Sequence, residues 1–493
     1  MSQDLPAALR IHADDGVAIA LRPLALGETV LGIAVRDVVP QGHKIALRSH
    51  AAGDVVTKYG QPIGRATQAL AAGQHVHTHN LATALAGELL YRPGGNAASA
   101  LAPASDRTWQ GYRRADGLAA TRNEVWILPS VGCVGLTSEE AARSARERHG
   151  QSIDGIFAFA HPHGCSQLGD DLSGTRDLLA GLAANPNAAG VVLLGLGCES
   201  NQLADLIEAI APVARAKVRL VTSQTAGNEL EAVAAAVDEL VEGAASARRE
   251  DLPLSALRIG LKCGGSDGYS GLTANPLLGR LAGTLTASGG SAILTEIPEI
   301  FGAEQPLLDR ADSREVFEAA AGLINRFKRY YLDQGLPVSE NPSPGNLAGG
   351  ITTLEEKSLG AVQKGGQAVL TDVIGYGEQA TKPGLTLLEA PGNDAVSSTA
   401  LAAAGATMVL FTTGRGTPLG FPVPTVKVAS NHRLAVDKPH WIDFDAGTAL
   451  DMDMAEVDGR FLDTVTAIAS GEKTVAERAG QRAIAIWKRG VTL

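Results

Sequence analysis

An alternation of short apolar runs with helix-like stretches, which begins at Trp109 and continues through most of the chain, constrains the fold most strongly. The apolar runs have the length and composition of buried strands, and the helix-like stretches fall between them. Such a repeat is typical of an α/β protein with a mostly parallel sheet. The predicted strands span residues 125–128, 156–160, 191–196, 218–222, 257–261, 292–297, 368–374 and 407–413.

Two helices can be placed between these strands from local patterns. Thr137 is followed three residues later by Glu140, and this pairing predicts an N-terminal capping box. The stretch from Asn228 to Val241 has apolar residues at helical spacing. We therefore expect one helix to begin at Thr137 and another to cover 228–241.

The beginning of the chain has a different composition. Residues 11–80 contain short β-rich pieces separated by Gly, Pro and Asp, which predicts a small all-β domain. A possible short helix then leads into an Ala-, Gly-, Pro- and Ser-rich stretch that is typical of a linker. With a further boundary at the charged stretch 247–253, the expected division is a β domain at 1–90, a linker at 91–108, a middle α/β domain at 109–252 and a carboxyl-terminal Rossmann-like α/β domain at 253–493.

Size and charge narrow the class of protein. A chain of 493 residues exceeds the size at which one core usually stops growing, and 45% apolar with 19% charged residues is a globular composition. The formal net charge is −11, and no segment supplies a clustered Lys/Arg face. We therefore expect no nucleic-acid partner.

The amino terminus lacks the basic segment and apolar stretch of a secretory signal. No apolar run approaches the ~20 residues that cross a bilayer. These features predict a cytoplasmic protein with no membrane partner. In a reducing compartment, cysteines serve in packing, metal binding or catalysis more often than in disulfides.

Glycine-punctuated loops with reactive residues follow several predicted strands. In open α/β sheets the loops at the carboxyl ends of the strands form the ligand crevice, so residues collected there predict a site. The loop segments are GC at 132–133, HPHGCSQLGDD, GCESNQ, KCGGSDGYSG and TGRGTP. Structural turns alone would not need cysteines, His161, Asp267 and Arg415.

Cys165, Cys198 and Cys263 are separated by 33 and 65 residues, far from any local CxxC spacing. Successive crossover loops of a parallel sheet could still bring them together. One interpretation is that they are small buried residues in tight turns. The other is a thiolate site for iron, with three ligands leaving one coordination position for substrate. Cys133 lies in a similar turn, which leaves a four-ligand site open.

Two further motifs have both a structural and a functional interpretation. GLGCES at 195–200 nearly matches a dinucleotide fingerprint, but Ser200 replaces the third glycine, so a tight turn is favoured over nicotinamide binding. HVHTH at 75–79 places three histidines on one face of a strand, either as a metal or substrate site or as a solvated edge. The triphosphatase motif GxxxxGK[ST] and the zinc-protease motif HExxH do not occur in the sequence.

Several cations could bind an anionic substrate. Arg415 is the best placed, because it follows an apolar strand and its flanking glycines let a carboxylate approach closely. The others are Lys427, Lys357 and Lys364, each of which could equally be a surface charge.

Longer motifs carry a resemblance that covers essentially the whole chain. They are HGCSQLGDD, GLGCESNQ, CGGSDGYSGLTANP, LTEIPEIFGAEQ, NPSPGNLAGGITTLEEKSLG, PGNDAVSSTALAAAGA and LFTTGRGTP with PTVKVASN. These segments resemble the altronate/galactarate dehydratase family, and VAIALRPL, PQGHKIAL and HVHTHN resemble its small SAF (β-clip) domain. FGAEQ, HVHTHN and WIDFDAG are closer to the altronate branch.

The resemblance implies a cytoplasmic hydro-lyase that depends on iron, either Fe²⁺ or an iron–sulfur cluster, with Mn²⁺ as an alternative. The expected reaction converts D-altronate to 2-dehydro-3-deoxy-D-gluconate and water. It involves no net redox change, so no NAD is expected. We expect a small aldonate or aldarate substrate and a homodimer.

The resemblance and the loop positions together assign expected roles. Removing the proton at C2 and the hydroxyl at C3 needs a base, an acid and a cation that holds the carboxylate. The expected iron ligands are Cys165, Cys198 and Cys263. The expected acid–base groups are His161, Glu199, Asp267 and Glu296. The expected substrate contacts are Arg415, Lys427, Lys357, Lys364, His43, His75 and His77.

The chain departs from the family pattern at three positions. His163 stands where the family usually has Tyr, Leu347 where it has Lys, and Ala361 where it often has Cys. The first two bear on the substrate, and the third indicates that this position is not an obligatory ligand. The alternative functions are a lyase for galactarate or sulfolactate and a non-catalytic protein that binds a sugar acid.

Overall fold

The structure is a computed structural model that describes residues 6–85, 87–94, 104–150 and 152–493. Its first unit is the predicted all-β domain. Strands β1, β2, β5 and β8 form one antiparallel sheet, β6, β7 and β9 a second, and β3 and β4 a ribbon. The strands are β1 (Ala8–Leu9), β2 (Val17–Ala20), β3 (Thr29–Val30), β4 (Ile33–Ala34), β5 (Lys44–Ala46), β6 (Val55–Lys58), β7 (Gln61–Ala66), β8 (His75–Val76) and β9 (Leu81–Ala82). The helix expected next to the linker is not formed by residues 81–85 or 87–94.

The middle unit is a four-stranded parallel sheet in the order β13-β12-β14-β15, with helices between the strands. Its strands are β10 (Thr108–Arg113), β11 (Ala119–Ala120), β12 (Glu124–Pro129), β13 (Gly155–Ala158), β14 (Ala188–Gly195), β15 (Val218–Thr222) and β16 (Glu250–Pro253). Its helices are α1 (Gly135–His149), α2 (Gly169–Ala184), α3 (Leu203–Ala209) and α4 (Glu229–Ala244). Strand β16 returns to pair with β10, so the charged stretch near 250 is part of a second, antiparallel sheet.

The carboxyl-terminal unit is a seven-stranded sheet in the order β19-β20-β18-β17-β21-β22-β23, parallel throughout. Its strands are β17 (Arg258–Cys263), β18 (Ser291–Leu294), β19 (Leu370–Ile374), β20 (Gly384–Leu388), β21 (Met408–Thr413), β22 (Thr425–Ala429) and β23 (Phe444–Asp445). Its helices are α5 (Ala274–Ala287), α6 (Glu304–Leu308), α7 (Arg314–Asp333), α8 (Pro344–Ala348), α9 (Leu354–Ala361), α10 (Asp394–Ala403), α11 (His432–Asp437), α12 (Met454–Ala469) and α13 (Val475–Arg478). This architecture confirms the predicted fold class.

The predicted helix starts have different outcomes. Asn228 caps α4, because its side-chain oxygen accepts from the backbone N–H groups of Leu230 and Glu231. The capping box at Thr137 is wrong: α1 begins at Gly135, with Val134 as the cap and no side-chain bond there. A turn of 3-10 helix at Gly132–Val134 leads directly into α1, so Thr137 already lies inside the helix.

The β domain is fixed to the carboxyl-terminal unit by buried charges. Glu356 of α9 accepts hydrogen bonds from Lys44 at 2.8 Å and Lys58 at 2.7 Å, and all three side chains are buried. Against the opposing effect of burial, the two lysines lower the pKa of Glu356 to about 2. The hydroxyl of Tyr269 also donates to the carbonyl of Leu21 at 3.0 Å. These bonds hold the β domain against the loop that follows β17.

Within the residues that the structure describes, no helix is both long and apolar enough to cross a membrane.

Candidate active site

Cys263 and two glutamates converge where β17 and β18 end. Cys263 is the last residue of β17, and its backbone N–H donates to Glu296 Oε2 at 3.0 Å. Its thiol donates to Glu299 Oε2 at 3.4 Å. Glu296 has a left-handed backbone with φ of 70°, a conformation that a non-glycine residue holds only when its surroundings fix it. This turn directs both carboxylates toward the sulfur.

Three lysines surround these acidic groups, and together the six residues are called the Cys263 cluster here. Lys262 binds Glu296, and it also donates to Asp394 Oδ1 at 2.9 Å. Lys364 donates to Cys263 Sγ and to Glu296 Oε2, each at 2.8 Å. Lys357 donates to Glu299 Oε1 at 2.9 Å. The buried carboxylates are therefore paired with ammonium groups, which offsets the cost of removing them from water.

The cluster sets the protonation of its members. Burial and the neighbouring Glu296 raise the pKa of Cys263 to about 12, so the thiol is neutral at pH 7. Against the effect of burial, Lys357 lowers the pKa of Glu299. Burial acts against Lys357 as well, yet Glu299 raises the pKa of that lysine. Glu299 and Lys357 are thus ionised together at neutral pH.

The Glu299–Lys357 pair forms part of the wall of an open cleft with a volume of about 440 Å³. Its other walls are the loop after β17, the turn before α8 and the N-terminal end of α10. Their lining residues are Gly264, Gly265, Ser266, Asn341, Ser343, Asn346, Gly392, Asn393, Asp394, Ala395 and Leu419. The lining is rich in hydrogen-bonding groups, as binding of a polyhydroxylated anion requires.

Arg415 lies between this cleft and a second one. Its side chain is within 3.7 Å of the position that a Cβ on Gly345 would occupy, and it also borders Gly265. The second cleft, of about 540 Å³, lies between the β domain and the carboxyl-terminal unit and is lined by Arg415 and Asp267. Arg415 therefore lines the second cleft, and its Cβ packs beside Gly265 of the first.

Asp267 holds the walls of the second cleft together. It accepts from Ser270 Oγ at 2.9 Å, Ser430 Oγ at 2.8 Å and Asn431 Nδ2 at 2.9 Å. Burial raises its pKa in spite of these bonds. Gly414 is necessary here, because a side chain at that position would collide with the Asp267 carboxyl group.

The three histidines predicted to contact substrate gather in the β domain. His43 Nδ1 lies 3.1 Å from His75 Nε2, and the rings of His43 and His77 are 4.8 Å apart between centroids. His77 Nδ1 lies 2.8 Å from Thr352 Oγ1, just before α9. Burial lowers the pKa of His75 to about 3, with His43 as the second cause, and burial lowers the pKa of His77 to about 4, with Lys44 as the second cause. This group borders the Glu356 contact and does not line the cleft beside Glu299.

Lys427 supports the cleft without lining it. Its ammonium donates to the carbonyl of Thr417 at 2.9 Å and to that of Leu419, and burial lowers its pKa to about 8. Leu419 is itself a wall residue of the cleft. Lys427 therefore positions the loop after β21.

His161 and Glu199 lie in the middle unit, away from the Cys263 cluster. His161 Nε2 donates to the carbonyl of Pro129 at 2.8 Å, and its Nδ1 accepts from the N–H of His163. Burial lowers the pKa of His161 to about 4. Glu199 Oε1 accepts from Ser130 Oγ at 2.6 Å and from the N–H of Leu196 at 3.1 Å. Both side chains are used to fix loops.

The structure does not bring the three predicted iron ligands together. Cys263 is buried in the Cys263 cluster, whereas Cys165 and Cys198 are exposed at the edge of the four-stranded sheet. Cys263, Glu296 and Glu299 do place one donor atom each within 4.8 Å of the others. A divalent ion does not fit there as a resident, because Lys364 already occupies the position between Cys263 and Glu296.

Some functional residues were not predicted from the sequence. Glu299, Lys262 and Asp394 belong to the Cys263 cluster or contact it. Glu299 follows Glu296 by three residues in the same segment, and Lys262 directly precedes Cys263. Their closeness in sequence to Glu296 and Cys263, which were predicted site residues, is the clearest sequence signal for Glu299 and Lys262.

Three family models cover the chain in succession. Residues 6–84 match the altronate/galactarate dehydratase SAF domain. Residues 111–248 match the second domain of D-galactarate dehydratase/altronate hydrolase, and residues 254–492 match the carboxyl-terminal domain of D-galactarate/altronate dehydratase.

Full-length relatives agree with these matches. An altronate dehydratase of Bacillus subtilis (strain 168) is 49% identical over 493 residues, covering 98% of this chain and 99% of the relative. An altronate dehydratase of Escherichia coli (strain K12) is 48% identical over 492 residues, with the same coverage. A galactarate dehydratase (L-threo-forming) of Escherichia coli (strain K12) is 31% identical over 497 residues, covering 96% and 94%.

The parallel sheets and the cleft with its ionised Glu–Lys pair define an α/β enzyme suited to acid–base chemistry on an anionic substrate. The chain belongs to the D-galactarate/altronate dehydratase family. It is a hydro-lyase that acts on sugar acids, which confirms the resemblance seen in the sequence.

Proposed function

We propose that this chain converts D-altronate to 2-dehydro-3-deoxy-D-gluconate and water in the cleft beside Glu299. The higher identity to the two altronate dehydratases, 49% and 48%, than to the galactarate dehydratase, 31%, favours this substrate. The observation that carries the proposal is the ionised Glu299–Lys357 pair in the cleft wall. Elimination of water from adjacent carbons needs one group that takes a proton and one that gives a proton.

Glu299 acts as the base and Lys357 as the acid. The Glu299 carboxylate takes the proton from C2, and the electrons of that bond form the double bond between C2 and C3. The Lys357 ammonium gives a proton to the C3 hydroxyl, which leaves as water. The resulting enol takes a proton at C3 and loses one from its C2 hydroxyl to become the 2-keto acid. Atoms and electrons balance without an oxidant or a reductant.

The rest of the Cys263 cluster positions the base. The thiol of Cys263 donates to Glu299, and Lys262 and Lys364 hold Glu296, which in turn accepts from the Cys263 N–H. The positive charges of Lys262 and Lys364 also stabilise the negative charge that develops on the substrate carboxylate as C2 loses its proton. Arg415, at the boundary of the two clefts, is proposed to bind that carboxylate.

The experiment compares substrates and variants. Wild type is assayed anaerobically with altronate, galactarate and sulfolactate, with detection of a 2-keto-3-deoxy product and of sulfite. The proposal expects the keto product fastest from altronate, and a kcat about 10²–10⁴-fold lower for Glu299→Gln and for Lys357→Met. Glu318→Gln, at an exposed position on α7, is the matched control. Sulfite release, faster turnover of galactarate, or unchanged kcat in both variants would overturn it.

The homodimer, the cytoplasmic location and the dependence on iron, as Fe²⁺ or an iron–sulfur cluster, or on Mn²⁺ stay predictions.

A further inference from the structure

The loop that follows β17 brings three hydrogen-bond donors to the cleft beside Glu299. Gly265 and Ser266 both line that cleft, and neither backbone N–H has an acceptor within residues 6–85, 87–94, 104–150 and 152–493. The hydroxyl of Ser266 has no hydrogen-bond partner in that part of the chain either, although the residue is only 5% exposed. Buried polar groups are normally hydrogen-bonded, so a free hydroxyl in the wall of a cleft indicates a ligand.

Neighbouring elements hold this loop in place. The N–H of Gly414 donates to the carbonyl of Gly265 at 3.1 Å, and Asn346 Nδ2 donates to the carbonyl of Ser266 at 2.8 Å. Gly265 has a left-handed backbone with φ of 63°, which favours glycine. The two carbonyls are thus bound by the loop after β21 and by α8, and the two N–H groups are left for another acceptor. Donors that are fixed in advance need no rearrangement when charge develops in a reaction.

The opposite wall of the cleft suits an anion less well. It is the N-terminal end of α10, where Asn393 Oδ1 already accepts from the N–H groups of Ala395 and Val396, each at 3.1 Å. Asp394 adds a carboxylate at this end, and a Cβ on Gly264 would lie only 2.6 Å from its Oδ2. An anion in the cleft is therefore bound better by the loop after β17 than by α10.

The Cys263 cluster supplies no net positive charge for such an anion. Its three lysines are paired with Glu296, Glu299 and Asp394. Cys263 is neutral at pH 7, because burial raises the pKa of its thiol to about 12. Removal of the C2 proton from a sugar acid adds a second negative charge and turns the carboxylate into an enediolate. This additional charge needs hydrogen-bond donors besides those of the cluster.

We propose that the Ser266 hydroxyl and the N–H groups of Gly265 and Ser266 form an oxyanion hole, which binds one carboxylate oxygen of the sugar acid and stabilises the enediolate. The inference rests on the proposed function of the cleft. The hydrogen bonds strengthen as negative charge grows on the oxygen, so they stabilise the enediolate more than the bound substrate. The other oxygen is left for Arg415, whose Cβ lies 3.5 Å from the position of a Cβ on Gly265.

The test compares the kinetics of full-length wild type with those of Ser266→Ala, which removes only the hydroxyl oxygen. The kcat for altronate is expected to fall about 10²-fold. KM should change far less, because the lost hydrogen bond is strongest in the enediolate. Altronate deuterated at C2 should react more slowly than unlabelled altronate in this variant, since removal of the C2 proton is the step that is slowed.

Ser255→Ala is the matched control. Ser255 is exposed and lies just before β17, at the opposite end of the strand from the cleft, so this variant should keep the kcat and KM of wild type. Three results would overturn the inference: an unchanged kcat in Ser266→Ala, a lower kcat without an isotope effect, or a rise in KM as large as the fall in kcat.

A binding measurement guards against a misfolded variant. Glu299→Gln and the double variant Glu299→Gln, Ser266→Ala are titrated with altronate in a calorimeter, where slow turnover leaves the substrate intact. Similar dissociation constants show that the cleft is folded and that the hydroxyl acts on the enediolate. A dissociation constant raised about 10²-fold in the double variant would assign Ser266 to binding of the substrate and would contradict the oxyanion hole.

The two proposals fail in different ways. If the proposed function is wrong, kcat is unchanged in Glu299→Gln. If only the oxyanion hole is wrong, Glu299→Gln is slow while Ser266→Ala turns altronate over as fast as wild type.

Discussion

The ammonium group of Lys364 lies 2.8 Å from the sulfur of Cys263, between that sulfur and the carboxylate of Glu296. A cation of the protein itself thus occupies the position at which a thiolate–carboxylate metal site would hold its ion. The sequence predicted Cys263 as an iron ligand together with Cys165 and Cys198, and this contact argues against that role for Cys263. The Cys263 cluster is charge-balanced for acid–base chemistry, and the exposed Cys165 and Cys198 lie apart from it in the middle unit.

The first prediction concerns this buried lysine. Lys364→Met removes the cation and leaves Glu296 with one buried partner fewer, so the free energy of unfolding should fall by about 3–5 kcal/mol. Urea denaturation followed by circular dichroism measures the difference. Lys382→Met, which breaks an exposed pair with Asp372, should cost much less, because solvent screens that pair. Equal losses in the two variants would contradict the structural role of Lys364.

The second prediction concerns substrate binding. Arg415→Lys keeps the charge but removes the bidentate fork, so KM for altronate should rise about tenfold while kcat changes less. Steady-state kinetics separate the two constants. Arg314→Lys, at an exposed position of α7, should leave both constants unchanged. A large fall in kcat with an unaltered KM would place Arg415 elsewhere in the reaction.

The third prediction concerns acid stability. The pKa of Glu356 is about 2 in the folded protein, below its ordinary value of 4.5, because Lys44 and Lys58 pair with the buried carboxylate. The unfolded chain therefore binds the proton first as the pH falls. This contribution to stability, of the order of 3 kcal/mol, is complete above about pH 4.5 and is lost between pH 4.5 and 2.

Unfolding free energies measured from pH 6 down to pH 3 test this dependence. Glu356→Gln should be less stable than wild type at pH 6 and should show a shallower loss with falling pH. If the two proteins lose stability in parallel, the Glu356 ion pairs do not govern acid unfolding at the contact between the β domain and the carboxyl-terminal unit.

Much of the fold could be predicted from the sequence because its strands are apolar throughout. Each of the eight predicted strands coincides with a strand of one of the two parallel sheets. Three strands of the larger sheet were missed. β22 carries Lys427 in its middle, β20 begins at Gly384 directly after Lys382 and Pro383, and β23 has only two residues, so none of them gave a clean apolar run. Burial of Lys427 depends on backbone carbonyls of a distant loop, which no local pattern reveals.

The site could be predicted only in part. The rule that ligands gather at strand ends predicted Cys263 and Glu296. Lys357 and Lys364, which were predicted as substrate contacts, lie on α9 and in the turn that follows it, and they join the same site. It could not distinguish the ends of two separate sheets, so Cys165 and Cys198 were grouped with Cys263. Which cysteines share a site depends on tertiary contacts between loops, and sequence spacing carries no such information.

The most direct test of the proposed reaction is turnover of altronate in D₂O, with early product analysed by NMR and mass spectrometry. Removal of the C2 proton by Glu299, loss of the C3 hydroxyl and protonation of the enol at C3 predict 2-dehydro-3-deoxy-D-gluconate with one solvent deuterium at C3. Glu299→Gln should form this product at least 100-fold more slowly. Product that carries the original C2 hydrogen at C3, or no keto acid at all, would contradict the account.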